Sequence, residues 1–255
     1  HSIDVMGSAY SRAENPDLHV EVTSNHVWLN RCEADKGRDD NITTHQCYNV
    51  WITDCYSHDP LGGYVDNNNN CLEIDDGSRH IYVSNFVGRG GYEGVQIKGH
   101  ANAAAPYDIH MNNIVCINNC VGFECRHTDF YGTPYSNTAK GIYVTNLTII
   151  APAISPTWEQ VGYTEPSYCV WLRSYQNVQI KNLNIYLDDS QANIAGEYLP
   201  TQKISNVPLK ITDGLRQATI DGLYIYGSNW NGGGSRGAVH FTTAPTKDIT
   251  IVNAN

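Results

Sequence analysis

Residues 71–127 read CLEIDDGSRHIYVSNFVGRGGYEGVQIKGHANAAAPYDIHMNNIVCINNCVGFECRH, and one short phrase recurs within them. Its copies are LEID at 72–75, VQIK at 95–98 and FECR at 123–126. In each copy the first and third residues are apolar, whereas the second and fourth are polar. This alternation predicts β-strands that turn one side chain toward the core and the next outward. Because the outward residues are mostly ionisable, the phrase also predicts a catalytic or binding surface, which we call the charged face.

A second phrase recurs along the whole chain and predicts the architecture. Its copies are HVWLNRC at 26–32, NVWITDC at 49–55, HIYVSNF at 80–86, DIHMNNI at 108–114, GIYVTNL at 141–147, NVQIKNL at 177–183 and QATIDGL at 217–223. Strand phrases repeated at intervals of roughly 20 to 40 residues are typical of a solenoid, whose stacked coils share one core. We therefore predict an all-β fold, a right-handed parallel β-helix, with residues 1–255 forming a single domain of a longer protein. The unequal intervals predict loop insertions at 60–70, 99–107, 128–140 and 151–168, which would rim a groove beside the charged face.

The residue before the last apolar position of the second phrase is often asparagine. It is Asn85, Asn113, Asn146 and Asn182 in four successive copies. Asparagine tolerates the left-handed backbone of a sharp corner, and stacked side-chain amides can bond one coil to the next. The sequence therefore predicts an asparagine ladder along one corner of the solenoid.

Composition argues against several classes of partner and site. The net charge of −10 does not suit a nucleic-acid partner, which requires a basic surface. No apolar run approaches the roughly 20 residues that span a bilayer, so we expect no membrane partner. The eight cysteines include no CxxC pair, and several have the phase of core residues. We therefore expect mostly buried thiols and no zinc site.

Stacking the coils in phase predicts two outward columns on the charged face. One is Thr43, Glu73, Gln96, Glu124, Trp171, Lys210 and His240, and the other is His45, Asp75, Lys98, Arg126, Arg173, Thr212 and Thr242. One interpretation is a structural ladder of salt bridges, such as Asp75 with Lys98, each contributing about 0 to 1 kcal/mol. That interpretation does not explain why Asp39 adjoins Asp40, or why Asp75 adjoins Asp76. Like charges side by side cost stability unless they are used.

The alternative interpretation is a groove that cleaves carbohydrate. Glycoside hydrolysis requires two carboxyl groups beside the scissile bond, about 5 to 5.5 Å apart for retention and about 6.5 to 9.5 Å apart for inversion. Glu73 and Glu124, two coils apart, would be separated by roughly 9.6 Å. We take Asp40, Asp75, Asp76 and Glu73 as catalytic candidates, with no metal or other cofactor. The candidates for substrate binding are Asp39, His45, Lys98, His100, Glu124, Arg126, Arg173 and Trp171.

The phrases GRDDNITTH (37–45), CLEIDDGSRH (71–80), VQIKGHANAAAPYDIH (95–110) and GFECRHT (122–128) resemble the central β-helix of bacteriophage tail-spike and preneck-appendage proteins. These proteins are similar in fold to pectate lyases and polygalacturonases. In polygalacturonases successive coils carry an Asp, an Asp-Asp pair, Gly-His and then Arg-x-Lys. The matching order here is Asp40, Asp75 with Asp76, His100 and Arg126, although Gly-His lacks a following Gly and Cys-Arg-His replaces the last motif. The resemblance implies that one Asp of the pair is the acid, that Asp40 and the other activate water, and that His100 and Arg126 position the sugar.

These observations leave three functions open. The first is a virion appendage that hydrolyses an anionic polymer of the host surface, a capsular polysaccharide or a teichoic acid. The second is a polysaccharide lyase that holds Ca²⁺ on its Asp cluster, and the third is a glycan-binding module without catalysis. An outward aromatic column on the other sheet, which includes Trp28, Trp51 and Tyr82, predicts packing into a homotrimer, the assembly typical of phage spikes.

Overall fold

The computed structural model describes residues 2–7, 24–60, 69–100, 103–127, 138–150, 168–187, 207–227, 238–241 and 246–255. These residues form strands and turns. The strands are β1 (Ile3–Met6), β2 (Asn25–Asn30), β3 (Glu33–Asp35), β4 (Ile42–His45), β5 (Tyr48–Thr53), β6 (Tyr56–His58), β7 (Leu72–Asp75), β8 (Arg79–Arg89), β9 (Glu93–Gly99), β10 (Tyr107–Ile117), β11 (Val121–His127), β12 (Lys140–Ile150), β13 (Tyr168–Arg173), β14 (Gln176–Tyr186), β15 (Val207–Thr212), β16 (Arg216–Tyr226), β17 (Val239–Phe241) and β18 (Lys247–Ala254). Among them there is no helix long and apolar enough to cross a membrane.

The strands form two parallel sheets that the chain visits alternately. The eight-stranded sheet has the order β1-β4-β7-β9-β11-β13-β15-β17, and the ten-stranded sheet has the order β18-β16-β14-β12-β10-β8-β5-β2, with β3 and β6 beside it. Successive coils give a strand to each sheet, with β3 and β6 as additional short strands in the first two, and the neighbours of a coil in a sheet are the coils before and after it. The predicted parallel β-helix is therefore confirmed. The first strand, β1, was not predicted, because its four residues precede the first copy of the second phrase.

The core lies between the two sheets and is filled by the apolar positions of both phrases. The second phrase contributes a stack that includes Phe86, Ile114 and Leu147, and all three are fully buried. The first phrase contributes Ile74 and Ile97 from the opposite side. Burying this apolar surface from many coils is the main stabilising term of such a fold. All eight cysteines are free thiols, and seven of them are buried.

The corner after the second phrase turns through left-handed backbone, as the asparagines predicted. Asn85, Asn113 and Asn182 have φ of 53°, 58° and 58°. Asn113 donates a side-chain hydrogen bond to Asn85 (2.9 Å), which itself donates to Asp54 (2.8 Å). One step departs from the regular ladder, because Asn146 donates to Asn112, at 3.3 Å, instead of to Asn113. Side-chain amides thus join successive coils at a corner where most L-residues would be strained.

Two stacked glycines bring the backbones close beside the charged face. Gly94 on β9 lies next to Gly122 on β11 in the register of the strands. A Cβ atom at Gly94 would lie 2.6 Å from Cys116 Sγ, and one at Gly122 would lie 2.6 Å from the carbonyl oxygen of Cys169. Larger residues there would push the strands apart. Most of the predicted loop insertions lie outside the described residues.

Candidate active site

The charged face lies on the eight-stranded sheet, and the backbone register confirms the order of its outward residues. Glu73, Gln96 and Glu124 are in register on neighbouring strands, as are Asp75 and Lys98. The expectation that this face is open to water is wrong, since Glu73 and Asp75 are each 2 % exposed and Lys98 is 5 % exposed. These side chains are buried because they bind one another and side chains from the connections between strands. Thr242, predicted for the second column, lies outside the described residues.

Asp40 and Glu73 form the first carboxyl pair. Asp40 lies in the connection before β4, where its Oδ1 accepts a hydrogen bond from the backbone N–H of Asn70 (2.7 Å). Burial and the negative charge of Glu73 raise the pKa of Asp40 well above its usual value. Burial alone would also raise the pKa of Glu73, but the Lys98 ammonium, 2.5 Å from Glu73 Oε1, lowers it. The proton shared by the pair is therefore favoured on Asp40, which hydrogen-bonds to Glu73.

Asp75 and Asp76 are adjacent, yet their pKa values move in opposite directions. Burial, followed by the charge of Glu73, raises the pKa of Asp75 well above its usual value. Asp76 is also buried, but its pKa is lowered because His100 donates to it from the backbone N–H (2.8 Å) and contacts it through Nδ1 (2.9 Å). His45 Nδ1 and His100 Nδ1 lie 3.5 and 3.7 Å from the carboxyl oxygens of Asp75. Environment thus favours the protonated form of Asp75 and the ionised form of Asp76, which binds His100.

Glu93 is a member of the site that the sequence analysis missed. Its carboxyl group hydrogen-bonds to that of Glu124, and burial together with the charge of Glu124 raises the pKa of Glu93 well above its usual value. The amide of Gln96 donates to both carboxyl groups, at 2.8 Å to each. Glu93 has the same phase as the core residue Val95, so strand alternation assigns it to the interior. A carboxyl group at a core phase was itself the signal that could have found it, since Glu is rarely buried without a partner.

Two arginines complete this second carboxyl pair. Arg173 Nη2 lies 2.7 Å from Glu124 Oε1, and Arg126 Nε lies 3.4 Å from Glu124 Oε2. Burial would raise the pKa of Glu124, but the two guanidinium groups lower it to about 2. The guanidinium of Arg173 also lies over the ring of Trp171, 3.7 Å from its centroid, and the ammonium of Lys210 lies 3.8 Å from the same centroid. Trp171 therefore lies against two cations, with which we group it as a cationic patch.

The charges of the buried cluster balance. Three carboxyl groups with raised pKa values adjoin three with lowered values, and three cations lie among them. The pKa is raised at Asp40, Asp75 and Glu93 and lowered at Glu73, Asp76 and Glu124, and the cations are Lys98, Arg126 and Arg173. Burying so many ionisable groups costs more desolvation free energy than their attraction supplies, unless each charge has an opposite charge beside it. Strong displacement of neighbouring pKa values in opposite directions is typical of an active site.

Two sets of donor atoms in the site have spacing that suits a divalent cation. They are His45 with Glu73 and Asp75, and Asp75 with Asp76 and His100, with all donor atoms of a set within 4.8 Å of one another. The ammonium of Lys98 already supplies positive charge to the first set, at 2.5 Å from Glu73 and 3.7 Å from Asp75. In the second set, Asp76 is already bound by His100. The donor chemistry fits Ca²⁺ poorly, because nitrogen donors occupy places that Ca²⁺ gives to oxygen.

The structure brings the predicted site residues to one side of the molecule. Asp40, Asp75 and Lys98 lie in one cluster, and Lys98 connects to Arg126 in the register of β9 and β11. Asp39 is exposed at the edge of this cluster, next to Asp40. The parts of the site nearest to solvent are the side chains of His45, His100 and Arg126, which are 14 %, 22 % and 24 % exposed.

Comparison with known proteins confirms the resemblance that the sequence indicated. The chain is 32 % identical over 222 residues to the preneck appendage proteins of Bacillus phages PZA and phi29, covering 84 % of this chain and 24 % of each relative. It is 28 % identical over 239 residues to the putative phage-related protein YobO of Bacillus subtilis strain 168, covering 90 % of this chain and 29 % of that protein. No protein-family model matches the chain.

Solved structures agree with these relatives. The pre-mature phi29 gene product 12 superposes with a TM-score of 0.78 at 29 % identity, over 98 % of this chain and 33 % of that one. The chain spans about a quarter of the length of the curated phage relatives that it matches. The predicted location, an appendage of a phage virion, agrees with the names of these relatives.

Proposed function

Proceeding from the similarity of this chain to phage preneck appendage proteins, we propose that it is a depolymerase. Its substrate is an anionic polymer of the host cell surface, a capsular polysaccharide or a teichoic acid, and its reaction is hydrolysis by carboxylate acid–base catalysis. The observation that carries this proposal is that Asp75, whose pKa is raised, and Glu73, whose pKa is lowered, lie on the same face of β7 with oxygen atoms within 4.8 Å of each other. Such a pair supplies both the proton donor and the negative carboxylate that glycoside cleavage requires.

The two carboxyl groups have distinct roles in this mechanism. Asp75, whose pKa is raised, is the acid and gives its proton to the oxygen of the leaving group. Glu73 is the ionised carboxylate, held by Lys98, and Asp40 donates to it. Asp76 does not take part in proton transfer because both of its oxygens bind His100, and it therefore positions the imidazole beside Asp75. The short separation of Glu73 and Asp75 is closer to the geometry of retaining enzymes than to that of inverting ones.

The exposed rim of the site supports an anionic substrate. His100 and Arg126 are partly exposed above the buried carboxyl groups, and further along the sheet the partly exposed Lys210 lies beside Trp171 and the buried Arg173. A guanidinium binds carboxylate or phosphate through paired hydrogen bonds. A polyanion lying along the solenoid would therefore contact the acids on the N-terminal coils and the cations on the coils that follow them.

The test is cleavage of purified host wall polymer and of capsular polysaccharide, followed by analysis of product size. We expect Asp75→Asn to lower kcat by about 100- to 10,000-fold, because the general acid is lost while the volume of the side chain is kept. The matched control is Asp248→Asn, an exposed carboxyl on β18 far from the charged face in sequence and on the other sheet. Equal rates for Asp75→Asn and the parent protein would remove Asp75 as the acid.

The same assay separates the two alternatives. A lyase would release unsaturated products that absorb in the ultraviolet and would lose activity with a chelator. Its base would have to be a cation that readily loses its proton, but Lys98 is buried between carboxylates that raise its pKa above the ordinary value. This observation favours hydrolysis. Tight binding of polymer without any shortening would instead identify a non-catalytic glycan-binding module.

Assembly into a homotrimer is a separate proposal, supported by the aromatic column on the ten-stranded sheet. The rings of Trp28 and Trp51 stack at 4.7 Å between centroids, and those of Trp51 and Tyr82 stack at 5.6 Å. Trp28 is 62 % exposed, which is unusual for the largest apolar side chain. Sedimentation equilibrium of the parent protein and of Trp28→Lys tests the assembly. A monomeric parent protein at micromolar concentration would contradict it for this chain.

A further inference from the structure

Two cysteines occupy the same position in the first two copies of the second phrase. Cys32 follows β2 and Cys55 follows β5, and these strands pair in parallel, with Asn30 opposite Thr53. Pairing resumes beyond the cysteines with Glu33 opposite Tyr56. Between them, the backbone N–H of Tyr56 donates to the carbonyl oxygen of Cys32 (3.0 Å). Cys32 and Cys55 are therefore direct neighbours across two adjacent coils.

The thiols of this pair also face each other. Cys55 belongs to the core cluster between the sheets, and the partly buried Cys32 packs against that cluster. Cys55 Sγ lies 3.6 Å from the carbonyl oxygen of Leu29, so its thiol leans toward the strand that leads to Cys32. The two side chains are within hydrogen-bond contact of each other. Paired parallel strands lie about 4.8 Å apart, within the range of Cα separations of about 4.4 to 6.8 Å that disulfides span.

We propose that Cys32 and Cys55 are an oxidation site that closes into a disulfide outside the reducing environment of a cell. The oxidant is a low-molecular-weight disulfide. The thiolate of Cys32 attacks it and releases one small thiol, and the thiolate of Cys55 then displaces the second small thiol from Cys32. Two protein thiols lose two electrons and two protons, and one small disulfide becomes two small thiols. The inference does not depend on the proposed hydrolase activity.

Exposure distinguishes Cys32 from the other seven cysteines, including its neighbour Cys55. Cys32 is the one cysteine of the chain that is partly exposed, so an oxidant can reach it. Burial raises the pKa of Cys47 to about 11 and those of Cys71 and Cys125 to about 12, and it also raises the pKa of Cys55, so these buried thiols are poor nucleophiles for the first attack. Attack therefore begins at Cys32, and Cys55 is the thiol in contact with it.

The position of the pair gives the bond a structural consequence. Among the strands that the structure describes, β2 is the last of the ten-stranded sheet, and its described neighbour is β5. Outer strands open most readily, and they are also free to adjust to the geometry of a new bond. A disulfide from Cys32 to Cys55 would hold the outer strand to the next coil.

The experiment uses the whole chain, reduced, desalted and then incubated with oxidised glutathione under native conditions. Remaining thiols are alkylated after denaturation, and a non-reducing digest is analysed by mass spectrometry. We expect one new cross-linked peptide that joins Cys32 to Cys55, with the other cysteines alkylated. The melting temperature should rise by about 5 °C on oxidation and return after reduction.

Three variants make the result specific. Cys32→Ser and Cys55→Ser should form no cross-link and show no rise in melting temperature, whereas Cys120→Ser should behave as the parent protein does. A glutathione adduct that stays on Cys32 in the parent protein would overturn the proposal. So would a cross-link to any other cysteine, or full alkylation of all eight thiols. Because the mapping is done on the parent protein, it decides the question even if a serine variant fails to fold.

Discussion

Single residues set the protonation pattern of the site, and this pattern predicts a pH–rate profile with two limbs. Glu73 must be ionised, and its pKa is lowered below the ordinary value, so the acid limb falls only at low pH. Asp75 must be protonated, and its pKa is raised, so the rate declines as pH rises through that value. We expect kcat/KM on host polymer to pass through a maximum between the two limbs, measured by initial rates from about pH 3 to pH 10. A rate that rises steadily with pH would contradict the role of Asp75 as the acid.

Glu93 predicts a change in stability with pH. Its pKa is raised in the folded protein, so above the ordinary value of 4.5 the folded state keeps a proton that the unfolded state has lost. The stability that this group contributes is fully present below that value and is lost as pH rises toward the pKa of the folded state. Between the two pKa values, the loss is about 1.4 kcal/mol for each increase of one in pH. Glu93→Gln cannot titrate, so we expect its free energy of unfolding to fall less steeply than that of the parent protein between about pH 5 and pH 9. Urea denaturation at several pH values measures both slopes, with Asp248→Asn as the control. Equal slopes for Glu93→Gln and the parent protein would show that Glu93 is ionised in both states.

At the scale of elements, the left-handed corner can be tested at Asn85. Its φ is 53°, and its side chain bonds to Asp54 on one side and to Asn113 on the other. Asn85→Gly loses both side-chain bonds but keeps a residue that accepts this backbone, as Gly222 does naturally at the same position. Asn85→Ala loses the same bonds and also adopts an unfavourable conformation, which costs about 1 to 2 kcal/mol. We expect Asn85→Ala to be less stable than Asn85→Gly by about 1 kcal/mol in urea denaturation, since glycine loses more backbone entropy on folding. An alanine variant as stable as the glycine variant would mean that the ladder, and not the backbone, determines this position.

The strands and their register could be predicted from the sequence because both depend on local rules. The alternation of apolar and polar residues within a strand does not depend on the length of the loops between strands. The sequence alone therefore places Glu73 and Glu124 in one row. The burial of that row could not be predicted in this way. It depends on Asp40 and Asn70, which lie in connections that have no period, and on Glu93, whose phase is that of the core. Alternation predicts the direction of a side chain within a strand. It does not predict which residues of the connections between strands contact that side chain.

At the scale of the whole molecule, the charge of the chain opposes the charge of its proposed substrate. The net charge of −10 repels a polyanion, whereas the cations of the site are already balanced by buried carboxylates. Little net positive charge remains in the site to exchange for the counterions of the polymer, in contrast to a basic groove that binds nucleic acid. Attraction is therefore short in range and comes from hydrogen bonds of partly exposed groups such as Arg126 and His100. Repulsion is long in range and sensitive to screening.

This balance predicts an unusual response to salt. Repulsion extends about 30 Å at 0.01 M ionic strength and about 8 Å at 0.15 M, whereas contacts with partly buried groups are screened much less. We therefore expect KM for the polymer to fall as NaCl is raised from about 10 to 150 mM, with kcat nearly constant. Arg126→Gln should raise KM at every salt concentration and keep the same trend, because it removes one contact and leaves the long-range field almost unchanged. A KM that rises steeply with salt in the parent protein would mean that exposed cations dominate binding. The inference that buried carboxylates balance the cations of the site would then be wrong.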